Sequence, residues 1–422
     1  MSAAHAGTAA AGAAGAVETD AETDAETEAA AAGPLAGMLV VDLSRALAGP
    51  HAGMMLGDLG ARVIKVERPG AGDDTRGWGP PFVGEEGARE STYFLSCNRN
   101  KESVVLDLKD AGDLDALGEL IRRADVLVEN FRPGTLDRLG FPPERLEELN
   151  PRLVLLSISG FGHDGPESSR AGYDQILQGE AGLMSLTGPD AEHPQKVGVP
   201  IGDLLGGIHG VVGVLAALVE RDRTGRGGVV RTSLLSSIAS VLAFQATRWT
   251  VAGERPVAIG NQHPSIAPYG AFRCRDGIVQ ISVGSPSLWA AFAPIIGADP
   301  DAAPWATNGD RVVDRAALTE RIERVFAEHD RADLLELLDR AGIPAGQVRT
   351  IDEVFAWEQA RSQRLALEVR HSTLGDITLQ GGPLRLFGFD GVERGRIEHD
   401  APPTLGQHTG SVLEWLSAGA RP

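Results

Sequence analysis

Five short apolar runs constrain this chain most. They are MLVVD at 38–42, RVIKVE at 62–67, SVVLDL at 103–108, DVLVE at 125–129 and RLVLLSIS at 152–159. Each is too short for a stable helix and too continuously apolar for a strand with one wet face. Segments with helical periodicity lie between them, such as HAGMMLGDLG after the first and LDALGELIRRA before the fourth. That alternation predicts an α/β fold with a parallel sheet covered on both faces. Ligands on such sheets sit at the C-terminal strand ends. The loops there are unusual: SRALAGP, ERPGAGDDTRGWGP, ENFRPG and SGFGHDGP.

The remaining chain divides by composition. Residues 1–33 are alanine-rich with an acidic repeat and are expected to be a disordered tail, because they offer no apolar surface to offset ordering entropy. Residues 34–225 are read as the first part of the large domain, 226–256 as a linker and 257–350 as a smaller α+β domain. The last contains a hairpin turning at Arg275-Asp276-Gly277. A helix, two strands and a final helix are expected over 351–422.

A formal charge of −19 argues against nucleic acid and anionic membranes as partners. Two cysteines give no disulfide framework, and with no signal-like leader the expected compartment is the cytoplasm. Residues 204–219 are apolar but short for a membrane span and interrupted by glycines, so they are read as a core helix. GFGHDG at 160–165 superficially matches a dinucleotide fingerprint, but PESSR follows it where a helix should start. There is no phosphate-binding P-loop, no G-x-S-x-G elbow and no histidine or cysteine pair at metal-ligand spacing, so no metal is expected.

Two features point to chemistry. Lys65, Arg68, Arg76, Lys101, Lys109, Arg132 and Arg138 flank the predicted strand ends. In an acidic chain they are either solvated surface charges or a cluster that holds phosphates. In KVGVPIGDLLGGIHGVVGVLAAL, residues 196–218, Asp203 is the only acid, placed where a long apolar helix begins. It is either a helix N-cap or a carboxylate held out of water for reaction. Gly202, Gly206 and Gly207 either admit backbone close to a substrate or pack helices together.

From about Pro34 onward the sequence resembles the family III, or CaiB/BaiF-type, CoA-transferases. The resemblance is carried in family order by VVDLSRALAGPHAGMMLGDLGARVIKVERPGAGDDTRGWGP, NRNKESVVLDLK, ADVLVENFRPGTLDRLGF, AGYDQILQGEAGLMSLTG, KVGVPIGDLLGG, GNQHPSIAPYGAF and LGQHTGSVL. It implies a Rossmann-like large domain built from both chain ends, so that 351–422 returns to it, and an interlocked homodimer. It implies transfer of CoA from an acyl-CoA to a free carboxylic acid, through mixed anhydrides and an aspartyl-CoA thioester on Asp203. CoA and acyl-CoA are then substrates, with no cofactor held permanently. CoA-binding positions map to Leu47, Ala48, Arg68, Leu106, Lys109, Asn130, Arg132, Arg138, Ala171, Tyr173 and Asp174. Trp78 matches a tryptophan near the active site.

Two departures matter. Leu47 replaces a glutamine found in some transferases, and a glycine-rich shielding loop is reduced to Gly260-Asn261. The blocks around 172–188 and 196–207 are most similar to members using succinyl-CoA or another dicarboxylic acyl-CoA. Arg45, Arg248 and His263 are the candidate partners for a second substrate carboxylate, with Gly260 and Asn261 beside them. The rival reading is a 2-methylacyl-CoA racemase, which needs a histidine base where Tyr173 stands and an acid near Ser285; a phenol is a poor base at neutral pH. A non-catalytic CoA-binding paralogue is the third.

Overall fold

A computed structural model describes residues 33–419; the Ala/acidic stretch ahead of Gly33 lies outside them. The chain forms two compact units. The first comprises the chain up to Leu177, Ile201–Ser237 and the segment from Arg364 onward; the second comprises Gln178–Pro200 and Ile238–Gln363.

The first unit is built on six strands: β1 (Leu39–Asp42), β2 (Arg62–Glu67), β3 (Lys101–Val105), β4 (Val126–Glu129), β5 (Val154–Ser159) and β6 (Gly228–Ser233). All pairings are parallel, in the order β3-β2-β1-β4-β5-β6. That is the order of doubly wound dinucleotide-binding sheets, and the winding reverses between β1 and β4. The crevice outside their C-terminal ends is therefore where a ligand is expected. β6 lies in the stretch 226–256 read as a linker, which also carries the helices Leu234–Ser240 and Ala243–Thr250.

Helices α1 (Ala48–Asp58), α2 (Ala111–Arg123) and α3 (Ile201–Thr224) cover the sheet. The Asp110 side chain caps α2, accepting the N–H groups of Gly112 and Asp113. Leu117, Leu120 and Ile121 of α2 are fully buried against Leu39, Ile64 and Val104. Val412 and Leu416 of the terminal helix Thr409–Ser417 join the same core, so the chain end completes the first unit.

α3 buries one stripe, Gly206, Gly210, Val214 and Leu218, at helical spacing. Its glycines allow close approach: a Cβ on Gly207 would lie 2.7 Å from the Ala48 carbonyl oxygen of α1, and one on Gly210 2.9 Å from Leu156. For Gly207 and Gly210 the packing explanation holds. The opposite face leaves Val212 and Val219 more than 60% exposed, so α3 is a half-covered helix rather than a fully buried one.

The second unit has an antiparallel sheet of Ala345–Gln347, Gly277–Ser282 and Tyr269–Cys274, with the hairpin turning at Arg275-Asp276. Phe272, Phe292 and Phe326 form its aromatic centre, between the sheet and the helices Pro286–Phe292 and Arg315–Phe326. Ser285 caps the first of these helices, accepting the Leu288 N–H.

Candidate active site

Asp203 lies within the first turn of α3, not ahead of it. The helix end is capped from elsewhere. Asp174 accepts the N–H of Gly202 at 2.7 Å and approaches that of Asp203 at 3.4 Å. The N-cap explanation for Asp203 therefore fails. Among the described residues its own carboxylate pairs with no cation and accepts no hydrogen bond. Burial, and next the Asp174 carboxylate, push its pKa up to about 7. A helix N-terminus favours the anion, but here desolvation prevails. Such a carboxylate is ionised in substantial fraction near neutrality, and it is poorly solvated and basic for its type.

Beside it the side chains of Leu47, Met54, Cys97, Tyr93 and Leu204 pack together. Tyr93 meets Trp78 edge-on, with ring centroids 5.0 Å apart. Burial first, and then Asp203, hold the Tyr93 phenol well above its usual range, so it remains a proton donor. Tyr93 was missed in the sequence. The available signal was scarcity: the chain has three tyrosines, and this one stands next to a matched block.

At the C-terminal ends of β1, β2 and β3 opens a cavity of about 260 Å³. Leu106, Leu108 and Phe131 provide apolar walls, and Arg45, Arg68 and Lys109 stand at its edge. Arg132 and Arg138 are exposed on the neighbouring turn after β4. Asn130 clamps the cavity rim: its Oδ1 accepts the Arg45 N–H at 2.8 Å and its Nδ2 donates to the Arg45 carbonyl at 2.6 Å. The guanidinium of Arg45 lies over the Phe131 ring and 3.7 Å from Asp74, which itself pairs with Arg68 at 2.6 Å. Leu47 and Ala48, both buried, carry the chain from this rim into α1.

Three of the seven basic residues are not available to a ligand. Lys65 and Lys101 are fully enclosed; Lys65 pairs with Asp73 at 2.9 Å and Lys101 with Asp42 at 2.9 Å. Arg76 makes a two-point bond to Glu67 and lies over Phe94. These pairs are structural. Lys65 also donates to the Ser44 carbonyl, and Asp73 accepts the N–H groups of Ala46 and Thr75. Ala46 has φ +66°, a left-handed conformation unusual for a residue with a Cβ. The Lys65–Asp73 pair thus locks the bend that delivers Leu47 and Ala48.

Ala171 and Tyr173 are exposed on the loop leading to Asp174. Gly260, Asn261 and His263 belong to the second unit. There His263 is stacked between Phe244 and Tyr269, and its Nδ1 accepts the Ser265 N–H. Gly260 has φ +63° and donates to the Gly188 carbonyl at 2.9 Å. Arg248 is engaged with Glu254.

The first unit thus combines a doubly wound α/β sheet, a cavity at its strand ends and an unpaired carboxylate in the first turn of α3, the fold class of enzymes that bind nucleotide-bearing substrates. The chain belongs to CoA-transferase family III, whose description it matches over residues 35–409. It is 39% identical over 383 residues to the succinyl-CoA:glutarate CoA-transferase of Mus musculus, covering 90% of this chain and 86% of that one. It is also 39% identical to the acetyl-CoA:oxalate CoA-transferase of Acetobacter aceti, covering 85% of this chain and 90% of the relative. The crystal structure of a CAIB/BAIF family protein from Brucella suis superposes with a TM-score of 0.81 at 38% identity, over 91% of this chain and 99% of that one. The protein is thus a CoA-transferase, moving CoA from an acyl-CoA to a carboxylic acid.

Proposed function

We propose that Asp203 is the nucleophile of a CoA exchange between dicarboxylic acids. The Asp203 carboxylate attacks the thioester carbonyl of the donor, forming a mixed anhydride as the CoA thiolate leaves. The thiolate attacks the aspartyl carbonyl, expels the donor acid and leaves an aspartyl-CoA thioester. The acceptor carboxylate attacks that thioester, giving a second mixed anhydride and free thiolate. Thiolate attack on the acceptor's acyl carbon then forms the new acyl-CoA and restores Asp203. Thioester energy is kept throughout, so no nucleotide hydrolysis is needed. The observation that carries this reading is the unpaired Asp203 carboxylate, whose cap role is taken by Asp174.

The cavity at β1–β3 suits the nucleotide end of CoA. Leu106 and Phe131 offer faces to a base, and Arg68, Lys109, Arg132 and Arg138 offer charge to phosphates. Leu47 and Ala48 would lead the pantetheine arm toward Asp203, with Trp78 and Tyr93 beside the reacting carbonyl and Ala171, Tyr173 and Asp174 on the facing loop. Gly260, Asn261 and His263 are assigned to substrate shielding. Tyr173 in place of a histidine base disfavours racemisation. The mouse relative's name joins two dicarboxylic partners, which supports succinyl-CoA or a related donor here. The apolar outer face of α3, with Val212 and Val219, supports a homodimer. The two free, buried cysteines fit a cytoplasmic protein. Incubating the protein with succinyl-CoA and a panel of free acids, with new acyl-CoAs read by mass, tests the assignment. Transfer to dicarboxylic acceptors that vanishes in Asp203→Asn supports it; transfer retained in that variant refutes it.

A further inference from the structure

Glu129 and Ser157, both buried, and the half-buried His163 form a polar chain that the exchange chemistry does not use. Glu129 ends β4 and Ser157 faces it in register on β5. Both are less than 10% exposed. Ser157 Oγ bonds Glu129 Oε1, and His163 Nε2 lies 2.7 Å from the same Oγ. The other carboxylate oxygen, Glu129 Oε2, accepts the Phe131 N–H at 2.8 Å. This is not a hydrolase triad. In such a triad the imidazole stands between acid and hydroxyl; here the hydroxyl stands between acid and imidazole, so the imidazole does not link the carboxylate to a nucleophilic hydroxyl.

The chain joins two loops. On one side the Glu129–Phe131 turn presents Asn130, which clamps Arg45 at the cavity rim. On the other, His163 belongs to the loop after β5, where Gly160 packs backbone to backbone on Gly172: a Cβ on Gly160 would lie 2.9 Å from the Gly172 Cα. Gly172 leads to Asp174, the cap of α3. We propose that Glu129, Ser157 and His163 are positioning residues whose proton arrangement sets how tightly the turn 129–132 holds CoA, without taking part in the exchange itself. The inference rests on the placement of CoA in the β1–β3 cavity.

Counting protons fixes the two states. Ser157 has one hydroxyl hydrogen. With Glu129 ionised, that hydrogen goes to the carboxylate, and His163 must donate from Nε2. With Glu129 protonated on Oε1, the carboxyl donates to Ser157, which donates to a bare His163 Nε2. The imidazole proton then moves to Nδ1, which faces Ser159 Oγ at 3.5 Å. The ionised state gives Phe131 N–H a charged acceptor and holds the turn more firmly. Burial, and the nearby Asp137 carboxylate, raise the Glu129 pKa, against the two hydrogen bonds it accepts. Burial and then Arg231 lower that of His163, with Asp164 opposing, so the imidazole is neutral near pH 7. The switch therefore falls on Glu129, in a window above the ordinary carboxylate range.

The test is calorimetric binding of CoA itself to wild type, Glu129→Gln and Ser157→Ala from about pH 4.5, the ordinary glutamate value, up to about pH 8.5, with kcat and KM for succinyl-CoA alongside. Wild type is expected to bind CoA more weakly as pH falls. Glu129→Gln, which still offers an oxygen to the Phe131 N–H but no charge, is expected to bind about tenfold more weakly at the upper pH and to lose the added pH dependence, as for a charge-assisted hydrogen bond made neutral. The KM for succinyl-CoA should rise with it while kcat changes little. The phosphate of CoA titrates in all three proteins alike, so the difference isolates Glu129. Should Glu129→Gln not fold, Ser157→Ala, which keeps the Glu129–Phe131 bond but removes the hydroxyl that favours the Glu129 carboxylate, must move the pH dependence of CoA binding to higher pH; an unmoved profile overturns the proposal. Unchanged affinity and pH dependence in Glu129→Gln, or a loss of kcat at unchanged affinity, overturns the proposal. No CoA binding by wild type would instead refute the placement of CoA.

Discussion

The Asp174 carboxylate accepts the Gly202 N–H at 2.7 Å and so takes the capping duty next to Asp203. One acid holds the helix end; the other is left without a structural partner. Their proximity also sets their electrostatics, because Asp174 adds to burial in disfavouring the charge on Asp203. Cap and nucleophile are separate residues that tune one another.

Removing the Asp174 charge should move the acid limb of the rate profile. Asp174→Asn keeps a hydrogen-bond acceptor for Gly202 but deletes the repulsion. The apparent pKa governing transfer, about 7 in wild type, should fall in this variant. Asp174→Ala should in addition cost about 1 kcal/mol of stability through loss of the cap. A pH–rate profile and a denaturant melt separate the two effects.

Asp203→Asn should be more stable than wild type at alkaline pH. The folded pKa is raised above the unfolded value near 3.8, so the folded state binds the proton more tightly and loses stability as pH rises between those values. The gap between variant and wild type should open above about pH 4 and be full above about pH 7, reaching a few kcal/mol. Melting temperatures across that range check the sign: a gap that closes with rising pH contradicts the raised pKa.

Lys65→Met should leave Asp73 as a buried, unpaired acid and destabilise the fold by about 3–5 kcal/mol. It should also weaken CoA binding, because the Ala46 bend loses its anchor. The double variant Lys65→Met/Asp73→Asn should recover part of the stability. Chemical denaturation of both proteins gives the answer.

Gly207→Ala places a methyl 2.7 Å from the Ala48 carbonyl oxygen, a backbone atom that cannot swing aside. A destabilisation of about 1–3 kcal/mol is expected, together with a lower kcat as α3 and Asp203 shift away from α1. A melt and a kcat measurement suffice.

Much of this was legible in the sequence because the strands of a buried parallel sheet are nearly pure apolar runs. The five apolar runs coincide with β1 to β5 within a few residues. Asp203 stood out because no other acid shares its stretch. What the sequence did not resolve depends on partners distant along the chain. Lys65 and Lys101 look like surface cations until Asp73 and Asp42 are seen to neutralise them. Asp203 looks like a cap until Asp174, 29 residues earlier, supplies one. Tyr93 and the Glu129–Ser157–His163 chain are defined by packing, which no local spacing encodes.

The central claim is that CoA becomes covalently attached through Asp203. The most direct measurement is peptide mass mapping after brief exposure to succinyl-CoA and quenching with hydroxylamine, which converts an aspartyl thioester to a stable hydroxamate. The account predicts hydroxamate on the peptide carrying Asp203, dependent on succinyl-CoA and absent when no acyl-CoA is added. Hydroxamate on another residue, or complete CoA exchange with Asp203 unlabelled at every quench time, would contradict it.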